Sequence, residues 1–321
     1  MNNPEPGSSA SDAEAPDCST THQAAGAFHS GFVGIIGKPN VGKSTILNYL
    51  LGHKVSIVSP RPQTTRHRIL GILTRQDAQA IFIDSPGWHQ SKHPFERHLV
   101  KVAKGVIEEA NVLLTVIDAT STITKEDTWV FDEVRRTKRP AILAINKVDL
   151  VKKHVVLPLL EAGAASHLFQ EHIPISAVTG DNMAVLLAQL IARLPEGPRW
   201  YEADQLTDQS TEQLVCEFVR EQVLRATRQE IPQAVTVVLE ELTRQESMTV
   251  IRATIIVERE GQKAIVIGRG GLMLKRIGTA ARLDLERWLG RKVFLELWVK
   301  VVADWRTDPG RLRELGYERS S

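Results

Sequence analysis

Gly37-Lys38-Pro39-Asn40-Val41-Gly42-Lys43-Ser44 completes a G-x-x-x-x-G-K-[ST] octet, and the segments flanking it decide the fold. Before it, Gly31-Phe32-Val33-Gly34-Ile35-Ile36 is an apolar stretch that reads as a buried strand. After it, Thr45-Ile46-Leu47-Asn48-Tyr49-Leu50-Leu51 reads as the first turns of a helix. Between a strand and a helix such an octet is a phosphate loop. Its glycines let successive backbone N–H groups curl around a polyphosphate, and the helix N-terminus adds positive potential. Lys43 is placed to reach the terminal phosphates, and the Ser44 hydroxyl to join the shell of a Mg²⁺ ion.

Outward from the octet, strand-like segments at 32–36, 78–83, 111–117, 140–145 and 172–175 alternate with helix-like ones near 45–51, 96–109, 125–137, 154–169 and 182–193. A further strand, 67–74, is expected to pair antiparallel with 78–83. The class is α/β: a Ras-like, doubly wound G domain with a mostly parallel sheet and its ligands at the carboxyl ends of the strands. The pattern breaks at Leu194-Pro195-Glu196-Gly197-Pro198. Beyond it come a helix at 211–228, alternating strands at 234–242 and 249–257, helical segments around Gly268–Gly271 and a closing strand at 293–302. The expected units are a disordered tail 1–30, a G domain 31–194, a linker 195–210, a second, α+β domain 211–303 and a tail 304–321.

The length of 321 residues accommodates two separate cores, and 42% apolar with 24% charged residues is a globular composition. A net charge of +2 is too small, taken whole, to indicate a nucleic-acid binder. Its distribution says more. Residues 1–30 carry four acids and no Lys or Arg, whereas 263–300 carry nine bases against three acids. Basic charge is focused late in the chain, as a polyanion-facing surface requires. Cys18 and Cys216 are too few for a disulfide framework or a metal site. No apolar run reaches transmembrane length, and the first thirty residues lack the features of a secretory signal.

Three further elements specify the base. Asp84-Ser85-Pro86-Gly87 follows strand 78–83, with Asp84 placed for Mg²⁺ and the Gly87 N–H for the γ-phosphate. Asn146-Lys147-Val148-Asp149 follows strand 140–145. A carboxylate at Asp149 accepts from the guanine N1–H and 2-amino group, a donor pair adenine lacks, so the motif selects GTP over ATP. Asn146 and Lys147 are expected to brace the base and the phosphate loop. Ser176-Ala177 follows strand 172–175, with a backbone N–H for the guanine O6. The loop before 67–74 holds Gln63-Thr64-Thr65-Arg66, and a threonine hydroxyl there can join Mg²⁺ only when the γ-phosphate is present. Trp88 occupies the position at which Ras-like enzymes orient water with a Gln. Its bulk must swing aside for attack, so slow intrinsic hydrolysis is expected. Asn40, with carbonyls of the Thr64–Thr65 loop, can hold a monovalent cation such as K⁺ at the β–γ bridge.

In the second domain, Ile267-Gly268-Arg269-Gly270-Gly271 contains G-x-x-G between helical stretches, with Lys275 and Arg276 following. Such a loop in a KH module clamps about four single-stranded nucleotides. The order α-β-β-α-α-β is that of a type II KH domain. Ile265, Ile267, Leu274 and Ile277 are expected to line its groove and core, and Trp288 and Trp298 to serve the core and not base stacking. His89, His93 and His98 read as exposed loop residues, and the tail 304–317 as packing beside the RNA groove.

An Asn-bearing phosphate loop, Pro62-Gln63-Thr64-Thr65-Arg66-His67-Arg68, Glu258-Arg259-Glu260-Gly261-Gln262-Lys263 and Leu295-Glu296-Leu297-Trp298-Val299-Lys300-Val301 together resemble the Era family of bacterial KH-domain GTPases, in the TrmE-Era-EngA-like group of TRAFAC GTPases, over residues 31–318. The resemblance favours Thr65 over Thr64. It implies Mg²⁺ on Ser44, Thr65 and Asp84, and catalysis by Asn40, Lys43, Thr65, Asp84 and Gly87. The nucleotide contacts it implies are 37–44, 84–88, 146–149, Ser176 and Ala177. It further implies binding of the 3′ end of 16S rRNA through Ile267, Gly268, Arg269, Gly270, Gly271, Lys275 and Arg276, a role in maturation of the 30S subunit, and a monomeric cytoplasmic protein with a fraction at the inner membrane. Trp88 and the acidic amino-terminal tail depart from the family pattern. Two other readings use the same residues: an RNA binder with a non-hydrolysing G domain, and a membrane-surface signalling GTPase whose 263–300 segment meets anionic lipid. The intact Lys43, Ser44, Asp84 and Asp149 speak against the first. The G-x-x-G loop, for which a lipid headgroup has no use, speaks against the second.

Overall fold

Apolar strands that alternate with amphipathic helices bury both kinds of surface when the strands form a parallel sheet covered on each face. The computed structural model describes residues 27–88, 94–227, 231–315 and 317. Residues 1–26 with Cys18, and His89 and His93, lie outside them.

The first sheet runs in the order β2-β3-β1-β4-β5-β6. Its strands are β1 (His29–Ile36), β2 (Ile69–Thr74), β3 (Ala78–Asp84), β4 (Val112–Asp118), β5 (Ala141–Asn146) and β6 (Glu171–Pro174). Only β2 is antiparallel, against β3. Ile46 and Leu47 of α1 (Lys43–Leu51) and Leu186 of α5 (Met183–Ile191) pack on one face. Val106 of α2 (Pro94–Glu109), Val130 of α3 (Lys125–Thr137) and Leu159 of α4 (Lys153–Ala165) pack on the other. With β2 reversed at the edge, the carboxyl ends of β1, β3, β4 and β5 lie at one rim.

Segment 195–210 is held along the free edge of β2. Thr207 bridges Gly71, Ile72 N donates to Leu206 O at 2.9 Å, and the Gln79 side chain bonds the backbone of Trp200 and Tyr201. An exposed edge strand is thereby covered.

The second domain contains α6 (Thr211–Ala226), the short α7 (Ile231–Ala234), β7 (Thr236–Arg244), β8 (Met248–Val257), α8 (Glu260–Ile267), α9 (Leu272–Leu289) and β9 (Lys292–Val301). Ser210 and Gln213 form a reciprocal capping box that starts α6. The sheet is β7-β8-β9, antiparallel then parallel, the type II KH arrangement. Alternation divides its faces: Ile251, Ile255, Leu295 and Leu297 face α6 and α9.

Three expectations change here. The segment after β9, ending in α10 (Pro309–Glu314), does not pack beside the G-x-x-G groove. Buried Trp305, Leu312 and Tyr317 join Ile256, on the sheet's outward face, to Phe95 and Leu99 of α2. Trp288 is half-buried in the KH core, but Trp298 is exposed, because it shares the parity of Glu296 and Lys300 and not that of Leu295 and Leu297. His98 sits half-buried on α2 and lines a cavity of about 600 Å³ between the domains. Among the described residues, no helix is long and apolar enough to cross a membrane.

Candidate functional site

The phosphate loop leaves β1 and enters α1 at Gly42, whose φ of 101° suits glycine. A Cβ at Gly42 would stand 2.2 Å from the Asn146 amide nitrogen, so the close bracing of the loop also requires glycine. Helix α1 starts without a side-chain cap and without an acid in its first turn. Its N–H groups therefore point at the loop with no carboxylate competing for them. Lys43 is buried and donates to Gly37 O (3.0 Å) and Lys38 O (2.9 Å). Burial pulls its ammonium down to about 8, an effect Asp84 partly offsets. A polyphosphate supplies the charge that this ammonium lacks.

Ser44, Thr65 and Asp84 converge from three separate segments. Ser44 Oγ donates to Asp84 Oδ2 at 2.6 Å and lies 2.9 Å from Thr65 Oγ1, which is 3.4 Å from the same carboxylate. Asp84 is wholly buried and its Oδ1 has no hydrogen-bond partner. Burial raises the Asp84 pKa, against three hydroxyl hydrogen bonds and Lys43 that lower it. Two hydroxyls and one carboxylate, whose Oδ1 is unsatisfied, form an all-oxygen donor set that fits Mg²⁺. Thr64 turns the other way, its hydroxyl donating to Arg61 O at 2.7 Å.

Several partners were not visible in the motifs. Ser56 Oγ donates to Asp84 Oδ2 at 2.9 Å, and Asn48 fixes that turn by accepting from the Val55 and Ser56 N–H groups. Lys38 reaches across to Asp127 at 2.8 Å, tying the loop to α3. Asp118, at the end of β4, holds Lys147 at 2.5 Å. Asn146 donates to Val41 O (2.8 Å) and accepts from Ala177 N (3.1 Å), joining the phosphate loop to the last motif. Of the two backbone N–H groups of Ser176-Ala177, one of which was expected for the guanine O6, that of Ala177 is engaged by Asn146 and that of Ser176 by Asp181 O. Asp149 is exposed on the short 3₁₀ turn Val148–Leu150. Trp88 is buried in the cluster that holds Val106, Ile107 and Val130, and its backbone N–H donates to Gly37 O at 3.0 Å. Its ring lies in the core. A cavity of about 450 Å³ lies between this loop, residues 57–65 and Lys147.

Segment 54–67, which carries Thr64 and Thr65 and serves as the nucleotide switch, also enters the second domain. Ile57 is buried in the KH core beside Phe218 and Val219. Val58 N donates to Glu221, Lys54 pairs with Glu221 and Asp284, and Arg220 donates to Thr64 O. Arg66 is 1% exposed and donates to Val235 O (2.7 Å), Gln233 O (3.0 Å) and Tyr317 OH (3.1 Å). Its guanidinium lies 5.2 Å from the Phe95 ring centroid and 5.9 Å from that of Trp305. His67 stacks on Tyr317 at 4.8 Å, and burial pulls its imidazole down to about 4.

Cys216 lines the interdomain cavity, and burial followed by Glu217 pushes its thiol up to about 12. In a Cys18→Ser background we expect alkylation at neutral pH to be about a thousandfold slower than for a free thiol. Mass spectrometry of a time course checks this, and labelling at the free-thiol rate contradicts the packing described.

At the G-x-x-G loop, Gly268, Gly270 and Gly271 all have positive φ, while Arg269, Lys275 and Arg276 are exposed. Ile265 is exposed, Ile267 is half-buried, Leu274 packs half-buried against the KH core, and Ile277 is buried within it.

A family model described as a 50S ribosome-binding GTPase matches residues 32–147, and a KH domain model matches 230–306. The GTPase Era of Syntrophus aciditrophicus (strain SB) is 45% identical over 292 residues, covering 90% of this chain and 95% of that protein. A crystal structure of Era with MgGDPNP and nucleotides 1506–1542 of 16S ribosomal RNA superposes with TM-score 0.87 at 42% identity, over 90% of this chain and 99% of that one. A variant of Aquifex aeolicus Era bound to GDP·AlF4⁻ gives the same TM-score, identity and coverage.

Proposed function

The chain belongs to the Era family of GTPases, and from that premise we propose that GTP, by fixing segment 54–67, sets how its G-x-x-G loop grips the 3′ end of 16S rRNA during maturation of the small ribosomal subunit. One observation carries this reading. Thr65 reaches Ser44 and Asp84, while Arg66, the next residue, donates into the junction of α7, β7 and the carboxyl-terminal segment.

Ser44, Thr65 and Asp84 are the residues that would hold Mg²⁺, which when bound neutralises charge on the β- and γ-phosphates. Lys43 and the first N–H groups of α1 orient the phosphates, and the Gly87 backbone approaches the γ-phosphate. Asp149 selects guanine, and Asn146 and Lys147 keep its loop in register with the phosphate loop. The γ-phosphate and Mg²⁺ would strengthen the hold that Ser44 and Asp84 already have on Thr65, and their loss would loosen it together with Arg66, the next residue. A cytoplasmic location with peripheral contact at the inner membrane belongs to the same proposal, supported by family membership and the basic 263–300 segment.

Crosslinking of 16S 3′-end RNA in GTP and in GDP tests the reading, with Gly270→Asp as the control. A Cβ at Gly270 meets nothing within 4 Å, and Asp tolerates the left-handed backbone there (φ 57°). The fold should stand while a carboxylate faces the phosphates. RNA affinity should fall about thirtyfold with GTP affinity unchanged. Equal crosslinking by the variant and wild type would place the RNA elsewhere.

Asn40 Nδ2 donates to Pro60 O at 3.0 Å, so the side chain already meets a switch carbonyl. We expect hydrolysis to be about tenfold faster in K⁺ than in Na⁺, and Asn40→Ala to remove the difference. Identical rates in both salts for the wild type exclude a cation at this position.

A further inference from the structure

Strand β9 is the free edge of the KH sheet, and its outward face presents Lys292, Phe294, Glu296, Trp298 and Lys300 in alternation. Phe294 is 51% and Trp298 44% exposed, although large aromatic side chains at such positions are normally covered. They stand four residues apart on one face, roughly 13 Å. The carboxyl-terminal segment covers only the neighbouring end of this face, where Trp305 and Leu312 pack with Ile256 and Val238. Beyond that end the two rings stay open.

The charges around them are mixed, exposed Glu240 at the bulge of β7 carrying no ion pair among the described residues, but those beside the rings on β9 are basic or neutralised. Glu296 and Glu241 are both engaged by Arg252. Lys292 and Lys300 flank the rings on the same face; neither forms an ion pair within 4 Å among the described residues, although Lys292 stands within electrostatic reach of Glu286. Two exposed rings interleaved with unpaired lysines are what a single-stranded nucleic acid uses: bases stack on the rings and phosphates meet the ammonium groups.

The position relative to the G-x-x-G loop adds direction. Helices α8 and α9, which the loop joins, both pack on β9, with Gly278 3.6 Å (as a Cβ) from Leu297 on the inner face. The loop therefore lies on the β9 side of the sheet, and among the described residues no strand pairs with the far edge of β9, which leaves a path from the loop onto the outward face.

We propose that the outward face of β9 is a second RNA subsite, in which Phe294 and Trp298 stack bases of the strand whose other part the G-x-x-G loop clamps. This rests on the RNA-binding reading above and extends it from about four nucleotides to a longer segment. A protein surface is the competing occupant, and the unpaired lysines favour RNA over it.

The test compares labelled single-stranded RNA of about four nucleotides, the length a KH loop clamps, with one of about twelve, by fluorescence anisotropy on the full chain. Wild type should bind the long oligomer more tightly. The double variant Phe294→Thr/Trp298→Thr should bind the short one as wild type does and lose on the order of tenfold per ring on the long one. Phe294→Tyr/Trp298→Phe, which keeps both rings, should restore the long-oligomer affinity, and Lys292→Glu/Lys300→Glu should weaken it. Matching unfolding midpoints guard against misfolding. If wild type binds both lengths and the Thr variant binds the long one equally well, the subsite is refuted while the RNA reading stands. If wild type binds neither, the RNA reading itself fails. If RNA binding is unaffected at both lengths but association with the small subunit weakens, the face is a protein contact and the proposal is overturned.

Discussion

Asp149→Asn is expected to exchange the base that the G domain accepts. The Asp149 carboxylate offers two acceptors to the N1–H and 2-amino donors of guanine. An asparagine offers one acceptor and one donor, so against guanine its NH₂ opposes the 2-amino group and one hydrogen bond is lost. Xanthine carries a carbonyl at that position and meets the asparagine NH₂ correctly. Sites built on such donor–acceptor matching discriminate by several orders of magnitude, and we expect GTP affinity to fall on the order of a thousandfold while xanthosine triphosphate gains. The fold should tolerate the change because Asp149 is exposed and its turn is held by its neighbours. Asn146 is tied to Val41 and Ala177, and Lys147 to Asp118. Calorimetry with GTP, xanthosine triphosphate and ATP decides it. Undiminished GTP binding by the variant would remove Asp149 from base recognition.

What could be read from the chain itself divides by sequence distance. The phosphate loop is a contiguous run whose chemistry lies in backbone geometry, so eight letters suffice to announce it. Each later motif sits directly after an apolar strand, and the parallel sheet brings those strand ends to one rim without further information. The antiparallel β2 and the α-β-β-α-α-β order were legible for the same reason. Arg66 was not. Its partners at Gln233, Val235 and Tyr317 lie more than 150 residues away, and no local pattern marks a surface arginine as one that another domain will bury. Ile57 and Ser56 were missed likewise, as unremarkable letters in a polar loop. Trp298 is the opposite case. The alternation in Leu295-Glu296-Leu297-Trp298-Val299-Lys300 already put it on the face of Glu296 and Lys300, and its size alone suggested the core. Trp305 and Tyr317 belong to a short, charged tail without a period, and only the nearness of α2 gives them something to bury against.

Arg66→Ala is expected to leave nucleotide binding within about threefold of wild type while abolishing the influence of nucleotide on RNA. The side chain contacts no residue of the phosphate loop, and Thr65, Ser44 and Asp84 keep their own hydrogen bonds. At the junction, however, a buried cation, its hydrogen bonds to Val235 O, Gln233 O and Tyr317 OH and its contacts with Phe95 and Trp305 disappear, leaving Val235 O and Gln233 O without their donor. Hydrogen bonds to charged groups are worth about 1.5–3 kcal/mol, and they do not add fully. A loss of about 3 kcal/mol shifts the balance between docked and undocked domains roughly a hundredfold. Arg66→Lys keeps the charge but cannot fork to two carbonyls, so its effect should be intermediate. Linkage supplies an internal check. If GTP alters RNA affinity by some factor in the wild type, RNA must alter GTP affinity by the same factor, and both must collapse towards one together in the variant. RNA titrations in GTP and GDP, paired with GTP titrations with and without RNA, measure the two factors. A variant that retains the wild-type response shows that the signal from the γ-phosphate leaves the G domain by another route, through Ile57 and Glu221 or through α2.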